Sequence, residues 1–241
     1  MKAIVVLFLC SVLLFAGEAE DIIRKVDHNM RGKNVYMRFK MEIRTLNHRR
    51  SMEMDTWSEG KNRSFVKVLA PPREKGITFL SLDGQMWQYI PKIERTIKIP
   101  PSMMLQNWMG SDITNDDLVK QSSIVDDYIP RLLGRKGTVV TILLTPKPDA
   151  AVVWGKIVSQ IDTTHYTGIE DKFYDDEGRA VRTFRYSSVK RFGRYFIPTV
   201  WEVRPIDKPG HRTTLTVEKA HYDISMSEEY FRKSALKRFS D

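Results

Sequence analysis

Alternating apolar and polar residues along most of the chain predict β-strands. The alternation is most regular between residues 35 and 44, where every second residue is apolar: Val35, Met37, Phe39, Met41 and Ile43. Because successive side chains of a strand point to opposite faces, this segment predicts a long strand with one buried and one solvated face. Its two methionines lie on the buried side.

Turn-forming pairs divide the first part of the chain into a predicted meander. Asn47-His48, Glu59-Gly60 and Asp83-Gly84 each separate two apolar stretches, and Asp-Gly is a strong hairpin signal. Strands joined by short turns pair with their neighbours, so we expect the sheet order to follow the chain order here. The strand pattern returns later at 138–144, 155–162, 168–174, 179–187, 195–203 and 213–220. This spacing favours an antiparallel sheet that curls.

Helical patterns occur at both ends and in the middle of the chain. Apolar residues spaced by four predict an amphipathic helix from Asp21 to Arg31, which Gly32 ends. A second helix is predicted from Asn115 to Gln121, followed by a turn near 126–133. A third is predicted from Ser227 to Phe239, with Ser227 as its N-cap. The apolar face of this last helix either docks on the domain or contacts a membrane surface.

The most unusual segment is apolar and aromatic and runs from 85 to 118. Trp87 and Tyr89 share one face of a predicted strand that ends at Pro91, and a second short strand spans 95–99. Pro100 and Pro101 then open a loop with more apolar surface than a solvated connection normally holds: Met103, Met104, Leu105, Trp108 and Met109. We therefore predict that this loop covers an apolar surface.

The loop ends in a short sequence that leads into the second predicted helix. Met109-Gly110-Ser111-Asp112 closes the loop, and Asp112 or Thr114 is a candidate helix cap. Asp116 and Asp117 follow in the first turn, where negative charge is favoured by the helix dipole. We assign a bracing role in this motif to five residues: Pro91, Gly110, Ser111, Asp112 and Asp117.

The order Met-Trp-x-Tyr-x-Pro, a basic strand, a loop and Met-Gly-Ser-Asp-x-x-x-x-Asp-Leu resembles the LolA-like outer-membrane lipoprotein-sorting proteins of the bacterial periplasm. The resemblance implies a mainly β, α+β fold. In that fold a curved antiparallel sheet forms an incomplete β-barrel, and a few helices cover its concave face. It also implies that the barrel holds a lipid or acyl chain. The chain looks closer to the branch associated with lipid-exporting transporters than to the classical lipoprotein carrier, so the cargo stays open.

Lipid carriage requires apolar surface and no reactive group. Burial stabilises by about 25 cal/mol per Å², and flexible methionines adapt to chains of varied shape. The candidate cavity and lid residues are Met37, Phe39, Met41, Met52, Met54, Trp57, Trp87, Tyr89, Met103, Met104, Trp108 and Met109. Ordinary core packing is the alternative at each of these positions.

The N-terminus carries the features of a secretory signal peptide. Lys2, an uncharged apolar run from Ala3 to Phe15 and the small-x-small sequence Gly17-Glu18-Ala19 predict cleavage near Ala19. Cys10 does not fit a lipidation site, because Leu9 stands where a small residue is required. We therefore expect residues 1–19 to be removed and residues 20–241 to form one periplasmic domain without cysteine.

The net charge of the chain is +9. In an exported protein this charge favours anionic lipid head groups, acidic glycans or acidic protein surfaces, although improved solubility explains it equally well. Arg38, Lys40 and Arg44 form a basic stripe on the first strand, and Arg182 and Arg185 flank another. These residues are predicted to lie on solvated strand faces or on a docking surface for an acidic partner.

Candidate catalytic residues form no recognisable site in the sequence. The five histidines are scattered without a metal-binding pair, and Ser111 lies outside a nucleophile-elbow motif. The pairs Asp116-Asp117 and Asp126-Asp127 suggest a glycosidase, and the acidic run 175–177 suggests a calcium site. However, adjacent side chains point apart, and the run lacks the alternating acidic pattern of a calcium loop. We expect no enzyme activity, metal, cofactor or nucleic-acid binding.

The leading hypothesis is a monomeric periplasmic carrier for an acyl chain, lipid or lipoprotein anchor. It would pass this cargo between an inner-membrane transporter and an outer-membrane acceptor without covalent change, and peripheral membrane contact is compatible with its charge. The alternative is a non-carrying envelope protein that uses its sheet face to bind other proteins.

Overall fold

The structure is a computed structural model that describes residues 2–120 and 124–240, with side chains from residue 17 onward except that of residue 120. Thirteen strands form one antiparallel sheet in this part of the chain. In chain order they are β1 Asn34–Arg44, β2 Arg49–Glu59, β3 Arg63–Ala70, β4 Thr78–Leu82, β5 Gln85–Ile90, β6 Arg95–Lys98, β7 Tyr128–Lys136, β8 Val139–Pro146, β9 Lys156–Asp162, β10 Thr167–Tyr174, β11 Ala180–Phe192, β12 Tyr195–Pro205 and β13 Arg212–Tyr222.

Two meanders meet at the centre of the sheet. The strand order is β6-β5-β4-β3-β2-β1-β13-β12-β11-β10-β9-β8-β7, so each half follows chain order and β1 pairs with β13. Strands β6 and β7 form the two free edges, and the sheet does not close into a barrel. The predicted fold class and the predicted order of the first meander are confirmed.

The described helices are α1 Lys2–Arg31, α2 Asn115–Lys120, α3 Ile124–Asp127 and α4 Ala235–Arg238. Helix α1 packs against β7 and β12 and buries Ile22 and Ile23 in the main core. It ends at Gly32, where φ is +57° and a Cβ atom would lie 2.9 Å from the Tyr222 ring. The proposed cleavage position lies within this helix, and signal-peptide removal stays a prediction. No described helix has both the length and the apolarity needed to span a bilayer.

The sheet has an inner face, which α1 and the segment between the two meanders cover, and an opposite outer face. The inner face of β1 carries Val35, Met37, Phe39, Met41 and Ile43, all buried in the main core. On the outer face of the same strand, Tyr36 and Arg38 both donate hydrogen bonds to Asp55. The strict alternation predicted for this strand is confirmed.

Two predicted elements differ from the structure. The turn expected near 126–133 is wrong, because this region forms α3 and then the edge strand β7. Pro130 fits there because a strand paired on one side only tolerates the loss of an N–H donor. The C-terminal helix is also interrupted: a 3-10 turn at Glu228–Phe231 and α4 are separated by extended backbone at Arg232. Ser227 caps the first turn as predicted, since its Oγ accepts a hydrogen bond from the N–H of Glu229.

Candidate functional site

The inner faces of β1 and β2 form a continuous apolar surface. Met41 pairs with Met52 across the two strands, and Phe39 pairs with Met54. Met41 and Met52 have no solvent exposure. Trp201 of β12 meets Phe39 edge to face, with 5.1 Å between the ring centroids. The methionines therefore belong to one surface that spans both halves of the sheet.

A segment between the meanders, residues 100–119, covers this surface, and we call it the lid segment. Trp108 is only 2% exposed and meets Phe79 of β4 edge to face at 5.2 Å. Ile113 and Val119 are buried in the same core, and Met104 and Met109 pack against it half-buried. Met103 and Leu105 are exposed at the rim. The prediction that this loop covers an apolar surface is confirmed.

Polar contacts attach the lid segment to three strands. Arg50 of β2 donates a hydrogen bond to the carbonyl of Met109 at 3.1 Å. The hydroxyl of Thr213 in β13 donates to the Asp112 carboxylate at 2.8 Å and accepts from the Asp112 N–H at 2.8 Å. Arg182 of β11 forms a two-pronged ion pair with Asp117. These contacts hold the lid segment against the sheet.

Two of the motif residues, Ser111 and Asp117, also make hydrogen bonds within the lid segment. The Ser111 hydroxyl donates to the carbonyl of Trp108 at 2.7 Å, and Gly110 has a φ of +73°, which glycine adopts without strain. Pro91 begins a 3-10 turn that ends β5. Thr114 caps α2, because its hydroxyl accepts from the Asp117 N–H while the Asp117 carboxylate accepts from the Thr114 N–H.

Asp112 has an unusual electrostatic environment. Burial raises the pKa of its carboxyl above the ordinary value, although the hydrogen bond from Thr213 and the charges of His211, Lys208 and Arg182 oppose this effect. An ionised carboxylate is stabilised less in this environment than in water. We therefore expect the attachment of the lid segment to β13 to depend on the protonation of Asp112.

Arg182 lies on the opposite face of its strand from the one predicted. It was predicted to flank a strand on an exposed face, but its side chain is only 5% exposed and points to the inner face. Its guanidinium carbon lies 4.4, 4.7 and 4.9 Å from the ring centroids of Trp154, Phe173 and Phe184. The sequence contained a signal for this position. Residues two apart in a strand lie on the same face, so Arg182 shares the face of the apolar Phe184. Arg185, which has the opposite parity, is exposed and pairs with Glu170.

Three predicted cavity residues lie on the other face of the sheet. Trp57, Trp87 and Tyr89 belong to a separate outer cluster that residues 227–239, the C-terminal segment, cover. Successive residues of a strand point to opposite faces. Met86 faces the main core, so Trp87 beside it faces outward, and Trp57, three residues after Met54, lies on the opposite face from Met54. Their prediction as members of the same surface as the inner methionines is wrong.

The inner surface is occupied by the protein's own side chains in this conformation. Trp108, Met41 and Met52 are among the largest fully buried side chains. Two open clefts of about 400 and 530 Å³ lie elsewhere, at the β1–β2 turn and between α1 and Tyr166, and neither is lined by these residues. Met41, Met52 and Trp108 therefore line no open hollow in this conformation, and a cargo-binding hollow stays a prediction. Within the described chain, the buried Nε1 of Trp108 has no hydrogen-bond partner.

The fold is similar to three solved structures. A DUF1329 family protein from Desulfovibrio piger has a TM-score of 0.84 and 21% identity, covering 92% of this chain and 99% of the other. An outer-membrane lipoprotein-sorting domain from Vibrio parahaemolyticus has a TM-score of 0.81 and 19% identity, covering 92% of this chain and 100% of the other. A LolA superfamily protein from Nitrosomonas europaea has a TM-score of 0.76 and 19% identity, covering 90% of this chain and 98% of the other. At these identities the similarity establishes the fold alone.

Sequence comparison gives a family without a named activity. No curated protein matches this sequence. A family model described as "uncharacterized protein" matches residues 60–238. The chain belongs to this uncharacterized-protein family, and its fold is that of the LolA-like lipoprotein-sorting proteins, as the motif in its sequence predicted.

Proposed function

We propose that this protein is a periplasmic carrier for an acyl chain, lipid or lipoprotein anchor. The cargo binds between the inner face of the sheet and the lid segment, and it passes between envelope membranes or transporters without covalent change. One observation carries the proposal: a methionine-rich apolar surface is covered by a separate segment that side-chain contacts hold in place. The LolA-like fold supports it.

Binding in this proposal is an exchange of apolar contacts. An entering chain displaces Trp108 and its neighbours and then covers the same inner surface. Each methylene that leaves water contributes about 0.8 kcal/mol, which offsets the lost contacts of the lid segment. Methionine side chains refit around a new partner at low cost because they are unbranched and flexible. The proposed binding residues are Met37, Phe39, Met41, Met52 and Met54 with Met103, Met104, Trp108 and Met109 of the lid segment.

Two tryptophans on opposite faces provide a matched test. Trp108→Leu and Trp57→Leu remove the same indole from an apolar cluster, but only Trp108 covers the proposed binding surface. We expect Trp108→Leu to change the affinity for a fluorescent acyl probe, because the lid contacts that compete with the probe are reduced. Trp57→Leu should leave it unchanged. Equal affinities in both variants and the wild type would contradict the proposed binding surface.

Contact with a membrane or partner is assigned to the β1–β2 turn. Leu46 at the tip of this turn is 75% exposed, and Arg44 and Arg49 beside it are exposed as well. The turn lies next to Gly210 of the β12–β13 connection, close to the point where Asp112 meets β13. An apolar tip with basic neighbours suits an anionic bilayer surface. The C-terminal segment is less suitable, because Phe231, Ala235 and Leu236 are buried in the domain.

Vesicle pelleting tests this contact surface. We expect the wild-type protein to pellet with vesicles that contain phosphatidylglycerol and not with phosphatidylcholine vesicles. Leu46→Glu should reduce pelleting, since it removes apolar surface and adds a repelling charge. Leu133→Glu is the matched control, because Leu133 is also exposed but lies on the edge strand β7. Equal loss of pelleting in both variants would argue against the tip.

The second candidate function is a non-carrying envelope protein that binds other proteins through its sheet. The filled inner surface favours it, since a solid core needs no ligand. Native mass spectrometry and organic extraction of the purified protein distinguish the two candidates. A co-purified lipid, or saturable uptake of an acyl probe, supports the carrier, whereas the absence of both supports the binding module.

A further inference from the structure

Arg182 and Asp117 form a buried ion pair between the sheet and the lid segment. Nη1 of Arg182 donates to Oδ2 of Asp117 at 2.7 Å, and Nη2 donates to Oδ1. The two side chains are 5% and 12% exposed. We propose that Arg182 binds the anionic head group of the carried amphiphile, and that this head group takes the place of Asp117. The inference rests on the proposed carrier function and names the chemical class of its cargo.

The aromatic surroundings of Arg182 stabilise its positive charge whether its partner is Asp117 or the head group of a ligand. Three aromatic rings surround the guanidinium at 4.4 to 4.9 Å, and their faces attract positive charge. These rings belong to the sheet and to the connection before β9, so they remain when the lid segment moves. Nε of Arg182 is buried and has no hydrogen-bond partner in the described chain. The guanidinium thus presents a free donor beside the pair that Asp117 occupies, and its planar fork matches a carboxylate or phosphate.

Asp117 is suited to act as the displaced group. It lies on α2, at the end of the lid segment, and its carboxylate also accepts hydrogen bonds from the N–H and the hydroxyl of Thr114 at 2.8 and 2.9 Å. These helix-cap contacts move with α2, so Asp117 keeps partners after it leaves Arg182. Arg182, by contrast, has no further hydrogen-bond partner among the described residues once Asp117 leaves. An uncharged ligand would leave it buried without a counter-charge, which is strongly unfavourable.

The proposed head-group site is continuous with the apolar surface. Phe173 and Phe184 beside Arg182 belong to the same core as Met41 and Trp108, and Trp154 packs against that core. A ligand with its anionic end at Arg182 can therefore extend its apolar chain along the methionines. The site selects amphiphiles with a carboxylate or phosphate head over neutral ones of equal length.

Probe pairs and two variants test the inference on the full chain. A fluorescent fatty acid and its methyl ester share one apolar chain and differ in charge. We expect the wild-type protein to bind the acid about tenfold or more tightly than the ester, in line with the strength of charged hydrogen bonds. Arg182→Met should weaken binding of the acid to the level of the ester. Asp117→Asn should strengthen binding of the acid, because the competing carboxylate is gone.

Head-group binding predicts opposite effects of the two variants on the affinity for the acid. An ion pair that only holds the lid segment in place predicts the same effect for both variants. If the pair only held the lid segment closed, Arg182→Met and Asp117→Asn would both raise the uptake of both probes, and the inference would be overturned. Asp117→Asn keeps an amide oxygen for the Thr114 N–H, so it tests the inference even if Arg182→Met does not fold. Arg185→Met, on the exposed side of the same strand, is the control and should change neither affinity.

The remaining outcomes show whether the bound anion is a lipid head group or a free anion. They also show whether a negative result contradicts the head-group site or the carrier function itself. A fluorescent lysophosphatidic acid that binds with the same dependence on Arg182 supports the inference. Displacement of the acid by millimolar inorganic phosphate would instead indicate a site for free anions and would overturn it. If neither acid nor ester binds, the carrier function itself is wrong. If both bind equally in all proteins, only the assignment of Arg182 is wrong.

Discussion

Asp112 illustrates, at the residue scale, how one buried carboxylate couples the lid segment to solution conditions. Its hydroxyl partner Thr213 lies in β13, so the contact joins the lid segment to the centre of the sheet. Burial raises the pKa of this carboxyl in the folded protein. Folding therefore favours the protonated form, and the contribution of Asp112 to stability falls as the pH rises from the unfolded-state pKa through the folded-state pKa.

Asp112→Asn should remove this pH dependence. We expect the variant to gain stability relative to the wild type at neutral pH and to lose that advantage as the pH is lowered toward the ordinary carboxyl range, near pH 4. The asparagine oxygen still accepts the hydrogen bond from Thr213. Urea unfolding at several pH values provides the measurement.

Asp175→Asn is the control with the opposite sign. The hydrogen bond from Arg179 lowers the pKa of the exposed Asp175 carboxyl, so its contribution is present above the unfolded-state pKa and is lost as the pH falls. This variant should be slightly less stable than the wild type at neutral pH. An Asp112→Asn variant that is equally destabilised at every pH would mean that the Thr213 hydrogen bond outweighs the effect of burial.

At the element scale, the C-terminal segment completes the outer face of the sheet. Tyr230 stacks on Trp57 at 4.5 Å and on Phe239 at 4.7 Å. Leu236 is fully buried, and its carbonyl accepts a hydrogen bond from Thr78 of β4 at 2.6 Å. The two ends of this short segment are thus fixed on β2 and β4, which explains why elements too short to be stable alone are ordered here.

Leu236→Ala should destabilise the protein by about 3 kcal/mol, the usual cost of removing a large buried aliphatic side chain. Urea unfolding checks the value. Lys237→Ala, at the exposed neighbouring position, should change stability by less than about 0.5 kcal/mol. The affinity for an acyl probe should stay unchanged in a folded Leu236→Ala protein, because the outer cluster lies on the opposite side of the sheet. A large change in affinity would indicate that the outer cluster belongs to the binding site.

On the scale of the whole molecule, the lid segment connects the two meanders in sequence and in space. It contacts β2 and β4 of the first meander through Arg50 and Phe79, and β13 and β11 of the second through Thr213 and Arg182. The sheet leaves its edges β6 and β7 unpaired with each other. In the proposed carrier, cargo reaches the inner surface only after a covering element moves, and we propose that this element is the lid segment.

A reversible cross-link tests whether the lid segment must move. The Asp112 N–H lies 2.8 Å from the Thr213 hydroxyl, and we expect cysteines at these two neighbouring positions to be able to form a disulfide. In a protein with Cys10 replaced by Ser, we expect the oxidised double variant to lose uptake of an acyl probe and a reductant to restore it. The two single-cysteine variants are the controls. Unchanged uptake in the oxidised form would mean that cargo enters without movement at this contact.

Features that depend on residues close together in the chain were predicted from the sequence more fully than features that depend on the whole sheet. The alternation in β1, the Asp83-Gly84 hairpin and a cap of α2 at Asp112 or Thr114 were predicted, because each depends on residues close together in the chain, and the structure places the cap at Thr114. The covering role of the loop around Trp108 was predicted from its apolar composition alone. Strand β7 was missed, since Pro130 is acceptable only at a sheet edge and edges are defined by the whole sheet.

Sequence by itself determined the strand pattern, the chain-order pairing of the first meander and the LolA-like motif, because periodicity, turns and caps act over a few residues. Tertiary structure alone decided which face of each strand the core covers, and so separated Trp57, Trp87 and Tyr89 from the inner methionines. It also decided that Arg182 meets Asp117, 65 positions away in the chain, inside an aromatic cage. Alternation gives two faces but does not say what covers each one, and a buried ion pair exists only where the folded chain brings both charges out of water together.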